Sequence, residues 1–136
     1  RFKKYGVGDS IEFHQKQDIE DNLKSYKNID IALDTFPYNG VLTSFEALWS
    51  GVPVITMKGF NMMSRCGESI LINAKMENLV CSDTDEYIKT ALYYSTNTEK
   101  LSNLRFTTYK NILKTPLFDS KKFSLDFQNC LKNIKK

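Results

Sequence analysis

The stretch that decides the fold is residues 29–57, which read IDIALDTFPYNGVLTSFEALWSGVPVITM. It has an apolar run at Ile29–Leu33, a polar loop, an amphipathic segment at Thr43–Ser50 and a second apolar run at Val54–Met57. Continuous apolar runs on either side of a helical segment are typical of parallel strands that are buried on both faces. Gly51 to Pro53 predicts a tight turn from the helix into the second strand. The stretch therefore predicts a strand–helix–strand unit.

The same alternation continues on both sides of this unit. It predicts further strands at Ile11–Phe13 and Asn78–Cys81, and helices at Asp18–Lys27, Ser64–Asn73, Thr84–Ser95, Glu99–Lys114 and Ser120–Ile134. Strands that alternate with helices indicate an α/β fold, here a Rossmann-like parallel sheet with helices on both faces. The last three helices follow one another without a strand, and we expect them to pack on the flank of the sheet. The length of 136 residues fits a single domain over 1–136.

Composition excludes several classes of protein. A hydrophobic fraction of 41% is too high for a disordered tail. The apolar runs are far shorter than the ~20 residues that a membrane span needs, so we expect no membrane partner. A net charge of +3 is too small to indicate nucleic acid. Seven lysines lie between residues 110 and 136, which predicts a solvated helix face or, alternatively, a contact with phosphate or an acidic neighbour.

The cysteines argue against metal. Cys66, Cys81 and Cys130 lack CxxC spacing, and His14 is the only histidine, whereas structural zinc normally takes four closely spaced ligands. We therefore predict no metal and no cofactor. Scattered cysteines suit free thiols packed as small apolar groups in a reducing, cytoplasmic compartment. His14 has no spaced acidic partner and is expected to be structural or exposed.

The loop Asp34–Leu42 is the best candidate for a ligand site, because ligands of open parallel sheets bind beyond the carboxyl ends of the strands. Within it, Asn39 and Gly40 allow the backbone to bend and a ligand to approach closely. A helix then begins at Thr43 or Ser44, and its first N–H groups and its dipole favour a bound phosphate. The loop therefore predicts an anion site.

Glu46 has two interpretations at this stage. It lies three residues after Thr43, so the two side chains can form a capping box at the start of their own helix. Alternatively, its carboxylate can accept hydrogen bonds from the hydroxyls of a ribose. Asp83-Thr-Asp85 matches a short metal-diphosphate pattern, but it precedes a helix, and Asp83 or Thr84 is expected to be the N-cap.

Residues 30–40, 46–56, 64–65 and 116–118, in that order, resemble the C-terminal catalytic half of the O-linked N-acetylglucosamine transferases. This is glycosyltransferase family 41, which includes the SPINDLY-like proteins of plants. The resemblance runs from about residue 11 to about residue 127. The spacing of Glu46, Gly51 and Pro53 is shared widely among GT-B glycosyltransferases, whereas the run from Leu33 to Gly40 and the late Pro-Leu-Phe are much more specific.

The resemblance implies a metal-independent, inverting transferase that moves a sugar from a UDP-sugar to a Ser or Thr of a protein. The donor that it implies before any other is UDP-N-acetylglucosamine. It implies a GT-B fold, of which this chain is most of the C-terminal, donor-binding domain. By position, Asn39, Gly40, Thr43 and Ser44 line the diphosphate, and Glu46 lies near the ribose. The family usually has a small residue or His, followed by Thr, at the positions of Val41 and Leu42, so Leu42 offers only its backbone N–H. Apart from the resemblance, Arg65 has two interpretations: a contact with the phosphate, the uracil side or the other domain, or an ion pair with Glu68 or Glu46.

The resemblance also implies partners. The N-terminal GT-B domain, the acceptor site and the TPR repeats of the family are expected outside these 136 residues, which alone should transfer no sugar and hold no assigned catalytic residue. A glycan or lipid acceptor is an alternative to a protein one. A further alternative is a non-catalytic α/β binding module, which is favoured by departures from the family at Ile19, Asn22, Val41 and Leu42.

Overall fold

The computed structural model describes residues 2–15 and 18–134. Lys135 and Lys136, which end the basic C-terminal segment, and the first residue of the predicted domain 1–136 lie outside those ranges. Within the two ranges, no helix combines the length and the apolar character that crossing a membrane requires.

A parallel sheet forms the centre of the described structure. Its strands are β1 (Ala32–Leu33), β2 (Val54–Met57) and β3 (Val80–Cys81), in the order β1–β2–β3. Three successive residues of β2, Val54 to Thr56, are buried. Successive side chains of a strand point to opposite faces, so both faces of the central strand are covered. The predicted parallel α/β fold is confirmed.

Six α-helices lie within the described residues. They are α1 (Ile19–Ser25), α2 (Leu42–Trp49), α3 (Cys66–Asn73), α4 (Thr84–Thr96), α5 (Thr98–Asn111) and α6 (Ser120–Ile134). Short 3₁₀ turns lie at Phe2–Tyr5, Gly8–Ser10, Tyr26–Asn28, Met62–Ser64, Glu77–Leu79, Ile112–Lys114 and Pro116–Phe118. Helices α2, α3 and α4 contact β2, and α5 contacts α2 and α4. These positions agree with the predicted helices to within a few residues at each end.

A hydrogen-bonded turn at Gly51 connects α2 to β2. Gly51 has a φ of +76°, a conformation that favours glycine. Its N–H donates to the Leu48 carbonyl at 3.0 Å, and the N–H of Val52 donates to the Ala47 carbonyl at 2.8 Å. This pair of hydrogen bonds is the Schellman motif that ends many helices. The predicted tight turn is confirmed, and it delivers the chain directly into the buried β2.

Two predictions about the ends of the chain are wrong. Residues 11–15, which include the predicted strand Ile11–Phe13, form no regular secondary structure. Within the described ranges, none of the three strands pairs with them. Phe13 instead lies against Phe2, with ring centroids 6.3 Å apart. Helix α6 does not pack on the flank of the sheet: none of its residues is buried, and its main contact is the turn Pro116–Phe118. Its apolar stripe specifies a helix but does not find a partner on this sheet.

Candidate functional site

Asp34, the first residue after β1, organises the loop from β1 to α2. One of its carboxylate oxygens accepts hydrogen bonds from the N–H of Thr35 at 2.9 Å and of Gly40 at 2.6 Å. The other accepts one from the Thr56 hydroxyl at 2.7 Å. Sequence reasoning missed this residue as part of the site. The signal available was an acidic residue directly after a buried strand, at the edge where ligands bind.

Asn39 lies inside the loop. Its side chain is 0% exposed, donates to the Thr35 carbonyl at 2.9 Å and accepts from the N–H of Gly67 at 3.2 Å. Its own N–H donates to the Met63 carbonyl at 3.1 Å. The backbone N–H groups of Asn39 and Gly40 thus both have acceptors within the protein. Of the residues expected to line the diphosphate, Asn39 and Gly40 therefore already use their backbone N–H groups within the protein, and the helix start after Gly40 remains the candidate for the anion.

Helix α2 begins at Leu42, one residue before the earlier of the two predicted starts. Its first ladder hydrogen bond runs from the N–H of Phe45 to the Val41 carbonyl at 3.1 Å. The N–H groups of Leu42, Thr43 and Ser44 therefore belong to the first turn, where amides lack an acceptor within the helix. Leu42 and Thr43 are exposed, whereas Ser44 is buried and donates its hydroxyl to the Gly40 carbonyl at 3.2 Å.

Glu46 does not form the capping box. The residue before α2 is Val41, and no side chain caps the helix. The Oε2 atom of Glu46 instead accepts from the Asn22 amide at 3.0 Å and lies 3.4 Å from the Tyr26 hydroxyl. The capping-box interpretation is wrong because Val41, not Thr43, is the N-cap, and the Glu46 carboxylate interacts with two donors on and after α1 instead.

Arg65 precedes α3, and its side chain is 58% exposed. The Nε atom donates to Glu68 Oε2 at 2.7 Å, which confirms the ion-pair interpretation with Glu68 rather than with Glu46. Nε occupies one edge of the guanidinium. The two terminal nitrogens belong to the same exposed side chain, and their N–H groups are the donors that can bind an anion.

A cavity of about 130 Å³ lies at this edge of the sheet. It is lined by Tyr26, Ala32, Leu33, Asp34, Thr35, Gly40, Thr43, Ser44 and Val54. Ligand pockets for drug-sized molecules usually measure roughly 300–1,000 Å³, so this cavity is large enough for only part of a nucleotide. A larger, mostly apolar groove of about 620 Å³ lies on another side of α2 and extends to Phe118 and Phe123. The smaller cavity is the better candidate for a phosphate because it is lined by Thr43 and Ser44 of the first turn of α2.

Tyr87 of α4 supports the loop from the far side. Its hydroxyl donates to the Asp34 backbone carbonyl at 2.7 Å. Burial, followed by the negative charge of the Asp34 carboxylate, raises the pKa of Tyr87 to about 12. The unfolded chain loses this proton near pH 10, so the stabilisation is present below about pH 10 and is lost as the pH rises toward about 12.

We expect Tyr87→Phe to make the fall in stability at alkaline pH less steep. The variant should also unfold about 1 kcal/mol more easily near neutral pH, because one hydrogen bond is lost. Urea unfolding at about pH 8 and about pH 11 measures both effects. Burial also raises the pKa of Tyr26 and Tyr94, so part of the alkaline loss remains in the variant. An unchanged slope between the two pH values would contradict the assignment.

Other residues singled out in the sequence have structural roles. Asp83 accepts from the N–H of Glu86 at 2.8 Å and is the N-cap of α4, as predicted. The same hydrogen bond holds the pKa of Asp83 below its ordinary value. His14 is exposed and lies 3.4 Å from Glu12. All three cysteines are free, but Cys130 is exposed, so the predicted apolar packing is wrong for that thiol.

Known proteins share much of the sequence of this chain. The chain matches the family described as Glycosyl transferase family 41 over residues 4–127. A tomato protein (Solanum lycopersicum), named as a probable UDP-N-acetylglucosamine–peptide N-acetylglucosaminyltransferase SPINDLY, is 37% identical over 114 residues. A protein of the same name from Eustoma exaltatum subsp. russellianum is 39% identical over 108 residues. The alignments cover 84% and 79% of this chain but 12% of each relative.

A solved structure is also similar. A point mutant of Thermobaculum terrenum O-GlcNAc transferase superposes with a TM-score of 0.88 and 34% sequence identity. The superposition covers 96% of this chain and 25% of that one, which confirms the predicted resemblance to part of a GT-B transferase. Because the family match spans 124 of the 136 residues and the fold agrees with it, this chain belongs to glycosyl transferase family 41.

Proposed function

We propose that this chain is the donor-binding part of an inverting glycosyltransferase that takes a sugar from a UDP-sugar, first of all UDP-N-acetylglucosamine. One observation carries the proposal. At the carboxyl edge of the sheet, the first-turn amides of α2 and the Glu46 carboxylate lie on one short segment that follows Gly40. A nucleoside diphosphate carries an anionic group and a vicinal diol, which are the two ligands that these groups recognise.

The diphosphate lies against the start of α2 in this proposal. The amides of Leu42, Thr43 and Ser44 donate to its oxygens, and the Thr43 hydroxyl adds a side-chain donor. Gly40 lets the loop close tightly around the helix start, because a Cβ atom there would collide with the Thr43 hydroxyl and lie 3.2 Å from both Asp34 Oδ1 and Ser44 Oγ. Asn39 shapes the loop from within. We also assign the exposed guanidinium of Arg65, which directly precedes α3, to the phosphates.

The proposed chemistry needs no metal ion. In an inverting transfer, an acceptor hydroxyl attacks the anomeric carbon, the bond from that carbon to the diphosphate oxygen breaks, UDP leaves with the electron pair, and the proton of the hydroxyl passes to solvent water. Negative charge therefore grows on the diphosphate. Oriented amides and a helix N-terminus stabilise that charge, and the loss of one such donor typically slows a reaction by about 10²–10³-fold.

The acceptor and the partners extend the proposal beyond this chain. The chain spans about an eighth of the length of the plant relatives, each of which is named as acting on peptides. We propose a Ser or Thr of a cytoplasmic protein as the acceptor, and a second GT-B domain with TPR repeats as the remainder of the enzyme. The proposed acceptor site lies outside these 136 residues, which alone should therefore bind donor without transferring sugar.

Calorimetry or saturation-transfer NMR with UDP tests the proposal. We expect Glu46→Ala to weaken UDP binding about tenfold, since it removes a charged acceptor of hydroxyl hydrogen bonds. Gly40→Val should weaken it to a similar extent by crowding the loop against Thr43. Glu77→Ala is the matched control, because this exposed carboxylate lies in the turn that precedes β3.

The outcomes separate two functions. Loss of binding in both site variants, with the control unchanged, supports the donor site. Val41 and Leu42 favour the alternative of a non-catalytic protein-binding module, since both are apolar and Leu42 is 69% exposed at the start of α2. A failure of the unchanged protein to bind UDP would remove the donor site and favour that module.

A further inference from the structure

Three side chains that are distant in the sequence meet beside the start of α2. The Asn22 amide on α1 donates to Glu46 Oε2 at 3.0 Å. The Tyr26 hydroxyl, in the turn that follows α1, lies 3.4 Å from the same oxygen and 3.2 Å from the Thr43 carbonyl. A hydroxyl has one proton, so Tyr26 can donate to the carbonyl or to the carboxylate at any moment. Glu46 is thus held by a fixed amide and by a shared hydroxyl.

The position of the Tyr26 hydroxyl is fixed by burial. Tyr26 is 9% exposed, and its ring belongs to the apolar core formed with residues of α2, α3 and β2. Burial and the neighbouring Glu46 carboxylate both raise the pKa of Tyr26 above its ordinary value. The hydroxyl therefore keeps its proton throughout the physiological pH range, and it remains a donor to whichever acceptor is near.

The two donors are both directed at one oxygen of the carboxylate. Among the described residues, Oε1 of Glu46 accepts no hydrogen bond, although the side chain is half-buried. A carboxylate has two oxygens with several lone pairs, so occupation of one leaves the other available. Both donors come from the α1 side of Glu46, so they restrict the rotation of the carboxylate and leave Oε1 without a protein donor among the described residues.

We propose that Asn22 and Tyr26 are positioning residues that orient the Glu46 carboxylate toward the vicinal hydroxyls of the donor's ribose. This inference rests on the proposed function, because it assumes a nucleotide at this edge of the sheet. It adds a consequence: the contact of α1 with α2 sets how strongly the site prefers a ribonucleotide to one without ribose hydroxyls. A purely structural role for the same contacts would change both affinities equally.

The experiment compares two probes, UDP and 2′,3′-dideoxyuridine diphosphate, by calorimetry on the same protein. Asn22→Ala removes one donor, and Tyr26→Phe removes the other while keeping the buried ring. Lys24→Ala is the matched control on α1, since its ammonium pairs with Glu20 and Asp21 in the described structure. We expect each site variant to reduce the affinity for UDP roughly tenfold and to leave the affinity for the dideoxy probe unchanged.

The possible results are distinguishable. An equal loss for both probes, or an unchanged preference for UDP in both variants, would overturn the positioning role and leave the donor site in place. If the unchanged protein fails to bind UDP at all, the proposed function fails, and this inference fails with it. Should Tyr26→Phe unfold, Asn22→Ala alone decides, because Asn22 is only half-buried on the short helix α1.

Discussion

Asp34→Ala is expected to lower the free energy of unfolding by about 3 kcal/mol, because it removes a charged acceptor of three hydrogen bonds. Two of the donors, the N–H of Gly40 and the hydroxyl of Thr56, lie in part-buried contacts, at 2.6 and 2.7 Å from the carboxylate. Without the carboxylate, both donors lose their acceptor. Urea unfolding followed by far-UV circular dichroism measures the change.

The same substitution should also remove UDP binding. Asp34 fixes Gly40, which is the residue before the N-cap of α2, so its loss frees the loop that presents the helix start. Asp34→Asn separates shape from charge: the amide oxygen can still accept from Thr35 and Gly40, and an intermediate loss of stability is expected. Asp30→Ala is the control, since this exposed carboxylate pairs with Arg105 and such pairs are worth about 1 kcal/mol or less. An Asp34→Ala protein as stable as that control would contradict the role given to this residue.

The elements that the sequence predicted well are those whose signals are local. Residues 54–57 form β2 as predicted because a continuous apolar run between two turns has few other uses in an α/β fold. Helix α6 likewise spans Ser120–Ile134 as predicted, because its apolar residues recur at helical spacing. In both cases the pattern that defines the element lies entirely within it.

What the sequence could not predict depends on contacts across the chain. Glu46 and Thr43 have the spacing of a capping box, yet Glu46 bonds to Asn22, which is 24 residues earlier. Asn39 is predicted to face a ligand, but its side-chain oxygen accepts a hydrogen bond from the N–H of Gly67 on α3. The spacing of residues along the sequence indicates which local hydrogen bonds a side chain can make. The packing of α1 and α3 against this loop decides which of them form.

The position of α6 also depends on contacts that the local sequence pattern does not specify. Its amphipathic pattern specifies a helix with one apolar face, but a pattern carries no information about the surface that this face meets. Phe123 and Phe127 are both exposed and stack on each other, with ring centroids 6.0 Å apart. The expectation that the last three helices would share the flank of the sheet is correct for α4, which contacts β2 and β3, and wrong for α6.

Gly67→Ala is the second substitution with a large expected effect. Gly67 is the second residue of α3, and a Cβ atom built there would collide with the Thr56 hydroxyl and lie 2.5 Å from Asp34 Oδ2 and 2.9 Å from Thr56 Cβ. Thr56 is 0% exposed and β-branched, so its side chain cannot rotate away freely. The methyl group must therefore push α3 away from the sheet edge, and overpacking of this kind costs about 1–3 kcal/mol.

The displacement should reach the candidate site through two hydrogen bonds. The N–H of Gly67 donates to Asn39 at 3.2 Å, and Thr56 donates to Asp34 at 2.7 Å, so a shift of α3 loosens both residues that hold the loop. We expect Gly67→Ala to weaken UDP binding as well as to destabilise the fold, whereas Ala74→Gly, at the far end of the same helix, should cost stability without changing UDP affinity. If Gly67→Ala bound UDP normally despite its lower stability, the loop would be independent of α3, and the close approach of helix and sheet edge would serve packing alone.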